Sequence, residues 1–333
     1  MDFKTALNNG FVLTAELNPP RGVDVEPLLG KVTPLARAFD GFAVTDDSLA
    51  RLRMNAMAFA HLVRARLDTE MLMHLTCRDM SILKLHDYLL GAWALGIRNV
   101  LCMTGDPPRL GSFKEIKGVY QLNSFQLCNL VSSLNRGLLQ NGERIQSKPN
   151  FFIGCVANPY SLNLKVEAKR LRQKFDNGAR YVITQPVYTR RTLDQFLEAT
   201  ADIPMKKLIG VLPLRGLANA HVIADSVPDI YMPADIFTRL SKNDSVEEGI
   251  RLAREFIAEV RDVVDGIHIF PLNHFDALHA ILHEFPDRLA RMAPQSLPAS
   301  DRSGVKPKAE EPSRATDEKP GRLRGNGRER ARD

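Results

Sequence analysis

The chain has 333 residues, 44% hydrophobic and 25% charged, the balance of a soluble globular protein with ample material for a core. No apolar run approaches the roughly 20 residues of a membrane span, and the start MDFKTALNNG lacks the basic and apolar regions of a leader, so no membrane role and a cytoplasmic location are expected. The formal charge of +6 does not make a nucleic-acid binder, because 11 Lys/Arg against 7 Asp/Glu fall from Arg291 onward and leave the body close to neutral.

Short β-branched runs predict eight strands, over 11–17, 41–44, 71–76, 99–103, 151–156, 181–184, 207–211 and 267–270. Segments of helical periodicity lie between them, among them 49–67 and 164–176. The longer stretch 107–150 holds one helical run, 124–138, and is expected to carry an insertion. Gly41, Gly96, Gly178 and Gly266 each precede a strand, and all four are expected to close the preceding helix in the left-handed conformation. Eight βα units in this length predict an α/β fold, a (β/α)8 TIM barrel over 1–290. Residues 291–333 are rich in Pro, Gly and charge and poor in aromatics, so a disordered basic C-terminal tail is expected there. Four cysteines without a CxxC pair read as free, buried thiols.

In such a barrel the polar residues that matter sit where strands end. Glu16 lies inside the alternating run VLTAEL, and an inward, poorly solvated carboxyl needs a partner or a raised pKa. His74 and Thr76 alternate with Leu75 in HLTCRD, where a core histidine is the plain reading and Arg78 and Asp79 favour a ligand role. Asp106 in TGDPP could cap a turn. Gln185 in TQP offers both donor and acceptor to a heterocycle, or could tie down a loop. No GxGxxG follows a strand and neither a P-loop nor a GxSxG elbow occurs. His279 and His283 have helical metal-pair spacing but no third ligand in view, so no metal is expected.

The series ELNPPRG, VTDDSLARLRMNA, HLTCRD, LLGAWALGIRNVLCMTGDPP, GCVANP and YVITQPVY resembles the methylenetetrahydrofolate reductase family, in its PPRG/TGDPP subgroup, over about 11–285. The resemblance implies FAD at the barrel mouth, relaying hydride from NAD(P)H to 5,10-methylenetetrahydrofolate to give 5-methyltetrahydrofolate. It implies Glu16 as general acid, Asp106 between flavin and folate, and Gln185 on folate. Flavin contacts carry over to Thr45, His74, Glu167 and Lys174, with Thr76 and Asn158 beside them. Asn158 stands where well-known bacterial reductases carry a tyrosine, and Leu217 where they stack a phenylalanine on ligands. Leu17 and Asn18 replace aromatics after the acid. A homo-oligomer, or a partner reductase subunit, is expected. The alternatives are a folate-binding methyltransferase or demethylase component, and a non-catalytic subunit of a reductase complex.

Overall fold

A computed structural model describes residues 1–227 and 230–292; the expected tail, apart from its first two residues, lies outside them. Eight parallel strands close into a barrel in chain order. They are β1 (Val12–Leu17), β2 (Gly41–Val44), β3 (Met71–Thr76), β4 (Asn99–Met103), β5 (Phe152–Ala157), β6 (Tyr181–Pro186), β7 (Lys206–Val211) and β8 (Gly266–Ile269). The helices are α1 (Phe3–Asn9), α2 (Glu26–Val32), α3 (Ala56–Leu67), α4 (Ile82–Ala94), α5 (Ser124–Asn135), α6 (Leu164–Asp176), α7 (Arg190–Ala199), α8 (Leu217–Ser226), α9 (Ala234–Lys242), α10 (Val246–Val260), α11 (Phe275–Ile281) and α12 (Pro286–Ala290). Side chains of Asn55, Ser81, Asn123, Asn163, Thr189 and Ser245 accept from the first turns of α3, α4, α5, α6, α7 and α10. Each such cap is worth about 1 kcal/mol, so the polar residue before each apolar run starts its helix.

Strand alternation sends every second residue into the barrel. Following the paired registers, Glu16, His74, Val156 and Gly210 share one inward layer, with Ala43, Leu101, Ile183 and His268 in the layer beneath. Thr45, Met103, Gln185 and Phe270 follow above. Lower layers are mostly apolar, with Thr14 and Asn99 as buried polar residues, and Tyr181 fills the axis there, its hydroxyl donating to Val100 O at 3.3 Å. A Cβ on Gly154 would overlap the Tyr181 ring.

The N-terminal segment, which carried no expectation, folds as α1 and plugs this end. Phe3 and Leu7, four residues apart on one face, are fully buried, and Phe3 meets Tyr181 edge-on at 5.4 Å between centroids. The expectation for the four glycines is half right. Gly96 and Gly178 have φ of 87° and 111° and do end helices, whereas Gly41 and Gly266 are the first residues of β2 and β8. There the need is space: a Cβ would come within 2.8 Å of Leu72 Cδ1 at Gly41 and 2.6 Å of Val12 O at Gly266.

The four cysteines, far apart in sequence, gather on the outer face of β3–β5 under α5. Cys102 and Cys155 are register partners, and Cys128 reaches Cys102 from the helix. All four are buried. The bond to Cys128 and burial push the Cys102 thiol up, and burial raises Cys77 to about 12. Protonated, enclosed thiols do not attack disulfides. A chromogenic aromatic disulfide should therefore find no reactive thiol in the native protein and all four after unfolding in guanidinium, and fast native reaction would contradict this packing.

Candidate active site

Glu16 is buried on the inner face of β1, and Asn18 Nδ2 donates to its Oε1 at 3.2 Å. Among the described residues this is the only side-chain hydrogen bond Glu16 makes. Burial pushes its carboxyl up to about 7, with the Asn18 bond opposing the rise. Asn18 Oδ1 in turn accepts from Thr45 Oγ1 at 3.1 Å and Ser48 Oγ at 3.5 Å. Thr45 is thus tied to the acid through one amide.

The loops above are knitted by charge. Asp46 Oδ2 accepts from Thr76 Oγ1 at 2.8 Å and Thr76 N at 3.1 Å, and burial raises this carboxyl to about 6. Arg78, only 2% exposed, pairs with Asp79 at 2.7 Å and donates to the carbonyl of Asp47 at 3.1 Å and to those of Asp46 and Asp106 at 3.5 Å. Asp46 and the joining role of Arg78 were not assigned from the sequence, because the bonds link three different strand ends.

Asp106 does cap a turn, though not its own. Its Oδ2 accepts from Leu49 N at 2.6 Å, and Asp47 Oδ1 accepts from Arg53 N at 2.7 Å. Those two carboxylates take amides that a helix would have used. Residues 49–55 accordingly form no α-helix, only a distorted 3-10 turn over Ser48–Ala50, and the expected 49–67 helix shortens to α3. Asp47, Leu49 and Ala50 have φ of 48°, 55° and 52°, costing about 1–2 kcal/mol each, which the two carboxylate bonds help to offset.

Gln185 reaches the mouth through an irregularity. The β6–β7 register shifts between Ile183 and Pro186, and Thr184 Oγ1 accepts the Gly210 amide at 2.9 Å in place of a ladder carbonyl. Gly210 permits the approach, since a Cβ there would lie 2.5 Å from Thr184 O.

The other expected ligand residues are committed locally. Glu167 Oε1 accepts from Asn158 N at 2.9 Å, and Lys174 Nζ donates to Val156 O at 2.6 Å, so both helix residues pin the end of β5. Asn158 Oδ1 accepts from Tyr160 N at 2.9 Å, closing its own turn. Leu217 packs against a satellite core formed by Leu212, Leu214, Ile236 and their neighbours.

His74 and His268 lie in the two layers at and below Glu16. His268 Nδ1 is 2.9 Å from Thr14 Oγ1, while Nε2 of both rings has no partner among the described residues. Burial lowers both to about 3, and His74 adds to the effect on His268. Lowered histidines remove stability as pH falls from about 6.5 to 3, because the unfolded state takes up the protons first. Glu16 and Asp46, being raised, act in the opposite sense between about 4 and 7. Below about pH 4 the histidines act unopposed, each with a slope of about 1.4 kcal/mol per pH unit. Denaturant titrations at several pH values should show this steep limb, and His268→Asn should lose one proton's worth of slope; an unchanged slope would contradict a buried neutral ring.

A cavity of about 700 Å³ lies elsewhere, at the amino ends of the strands, lined by Lys4, Arg180, Lys206 and Asp265 among others. Lys206 pairs with Asp265 at 2.8 Å, and Arg180 donates to the terminal carbonyls Phe175 O and Ala179 O at 3.1 and 2.8 Å. Lys206 and Arg180 are thus committed to local partners, and we place the site at the mouth instead. Among the described residues no cluster of three His, Cys, Asp or Glu side chains could hold a metal ion, and no helix is long and apolar enough to cross a membrane.

A closed parallel barrel whose strands converge a raised carboxyl, two imidazoles each with an unpartnered Nε2 among the described residues, and an amide defines the class: a β/α-barrel protein with a candidate ligand site at the carboxyl-end mouth. The family model described as Methylenetetrahydrofolate reductase matches residues 3–286. The chain belongs to that family. It is similar to Methylenetetrahydrofolate reductase 2 of Saccharomyces cerevisiae, 26% identical over 240 residues, which cover 68% of this chain and 37% of that protein. The 5,10-methylenetetrahydrofolate reductases of Buchnera aphidicola and Escherichia coli are 22% and 23% identical, covering 84% and 80% of this chain and 93% and 88% of theirs. The chain thus spans a little over a third of the yeast relative and nearly all of the bacterial ones. Among solved structures, an uncharacterized protein from Clostridium thermocellum that binds two copies of 5-methyl-5,6,7,8-tetrahydrofolic acid shares the fold, with a TM-score of 0.59 at 13% identity over 86% of this chain and 99% of that one.

Proposed function

We propose that the chain is a methylenetetrahydrofolate reductase, passing hydride from NAD(P)H through FAD to 5,10-methylenetetrahydrofolate. The observation that carries this reading is Glu16, a carboxyl raised to about 7 by burial at the height where the family's general acid is expected. Opening the folate's five-membered ring to a hydride-accepting iminium requires a proton on nitrogen, and an acid that titrates near neutrality both holds and releases one. Gln185 can pair with the pterin's donor and acceptor edge, and Asp106 can do so through Oδ1, since Oδ2 is held by Leu49.

FAD, when bound, supplies the two-electron relay between nicotinamide and folate. The residues present fit it: His74 Nε2 is a buried polar atom in want of a partner at the mouth, beside Thr45 and Thr76. Glu167 Oε2 lies 3.7 Å from Arg170 and Lys174 keeps N–H groups beyond the one given to Val156, so both can take part in holding the cofactor's polar chain, with Asn158 next to them. Purified protein tests the proposal. A yellow preparation that bleaches anaerobically with NADH or NADPH and reoxidises on 5,10-methylenetetrahydrofolate supports it. A colourless protein that binds folate but reduces none with added FAD overturns it and leaves the methyltransferase-component or non-catalytic-subunit reading.

A further inference from the structure

We propose that Asn18 is a positioning residue for Glu16: its amide, held by Thr45 and Ser48, presents an N–H to Oε1 and leaves Oε2 as the oxygen that carries and delivers the proton. This assignment rests on the reading of Glu16 as the acid.

The geometry leaves one orientation for the amide. An ionised carboxylate only accepts, so the Asn18 NH₂ must face Oε1, and its carbonyl must then face the two hydroxyls, both able to donate. That arrangement persists when Glu16 is protonated, provided the proton sits on Oε2. With its single donor on Oε1, the carboxyl is fixed in rotation and its two oxygens are made unequal. Proton delivery then needs no side-chain turn.

No other charge competes. Around Glu16 the inward residues include the uncharged Ala43, Thr45, Val156, Gln185 and Gly210 together with His74 from β3 and His268 from β8, and burial keeps both imidazoles neutral. In the loops above, Arg78 is paired with Asp79, Asp46 is bonded to Thr76, and Asp47 and Asp106 hold the backbone amides of Arg53 and Leu49. Of the other loop cations, Arg53 donates to Pro19 O at 3.4 Å, and Arg21 and Arg51 are exposed to solvent. Asn18 is therefore the group that sets the balance between the two forms of Glu16, by favouring the ionised one against burial.

The test needs no turnover, which separates it from the test of the reductase reading. The protonated-carboxyl stretch of Glu16 is assigned by infrared difference between the protein and Glu16→Gln, then followed with pH in Asn18→Leu and Thr45→Val. Loss of a hydrogen bond to the ionised form is expected to move the Glu16 midpoint upward by about one pH unit in Asn18→Leu. Thr45→Val, which loosens the amide, should shift it less in the same direction. Should Asn18→Leu fold poorly, Thr45→Val alone carries the test. An unmoved midpoint in a folded variant overturns the assignment. If the midpoint moves in a protein that reduces no folate, Asn18 keeps its hold on Glu16 and it is the reductase reading that falls. In an active protein, the alkaline limb of folate reduction should follow the same shift, and a limb that stays in place while the carboxyl midpoint moves would deny Oε2 its part in proton delivery.

Discussion

Glu16→Gln is expected to lower the rate of 5,10-methylenetetrahydrofolate reduction by about 10²–10⁴-fold, the usual worth of a positioned acid. Reduction of the flavin by nicotinamide, which needs no proton from this residue, should be nearly unchanged. Glutamine keeps the shape and the bond to Asn18 but has no acidic proton, so the two half-reactions measured separately by stopped-flow absorbance should part company. Equal loss in both would remove Glu16 from the role of acid. The rate in the unsubstituted protein should fall as pH rises through about 7, where Glu16 ionises, and the variant's residual rate should lack that limb. Stability has a matching sign. A carboxyl with a raised folded-state pKa loses stability between its unfolded value of about 4.5 and about 7, so the Gln variant should gain relative stability on the alkaline side.

The second large effect is at the other end of the barrel. Phe3→Ala should destabilise the fold by about 3–5 kcal/mol, because the ring is fully buried between Phe152 and Tyr181 and the lower layers cannot collapse onto the space it leaves. Thermal unfolding should begin roughly 10 °C lower. Ligand affinity at the mouth should be little affected, since packed layers of the barrel interior separate α1 from Glu16. A melting temperature within a degree of the parent would mean that α1 contributes no packing to the barrel.

The sequence made the barrel legible because a buried parallel strand is a short apolar run with a sharp polar end, and here all eight runs were bounded within one or two residues. Helix 164–176 was equally clear, with Asn163 at its start. What escaped detection was non-local. The helical pattern of 49–67 was real over its second half, but the first half is claimed by Asp106 from another strand end. Gly41 and Gly266 looked like helix caps because they precede strands, whereas a barrel interior excludes their Cβ atoms. Phe3 and Leu7 had helical spacing, but a seven-residue helix is too short to announce itself without the cavity it fills.

At the site, Glu16 and His74 could be picked out because polar residues in an apolar alternation must be either bonded or useful. His268 in GIHIF gives the same signal, a lone polar residue in an apolar alternation. Asn18 gives none: next to Pro19 and Pro20 it reads as loop punctuation, and its role exists only once Thr45 and Ser48 come round from the second strand. Glu167 and Lys174 were reached by resemblance alone, and their bonds to the end of β5 show a local use that spacing could not have revealed.

The enclosure of every cysteine has a practical consequence. The chain is its own silent background for site-directed labelling, so one residue changed to cysteine on the mouth loops becomes the only address for a fluorophore or spin label. Phe113 is a natural choice, since it is 56% exposed on the segment after β4 and lies clear of the Arg78 network. A reporter at Phe113→Cys would follow ligand arrival at the mouth without first deleting the four thiols that help pack α5 against the sheet.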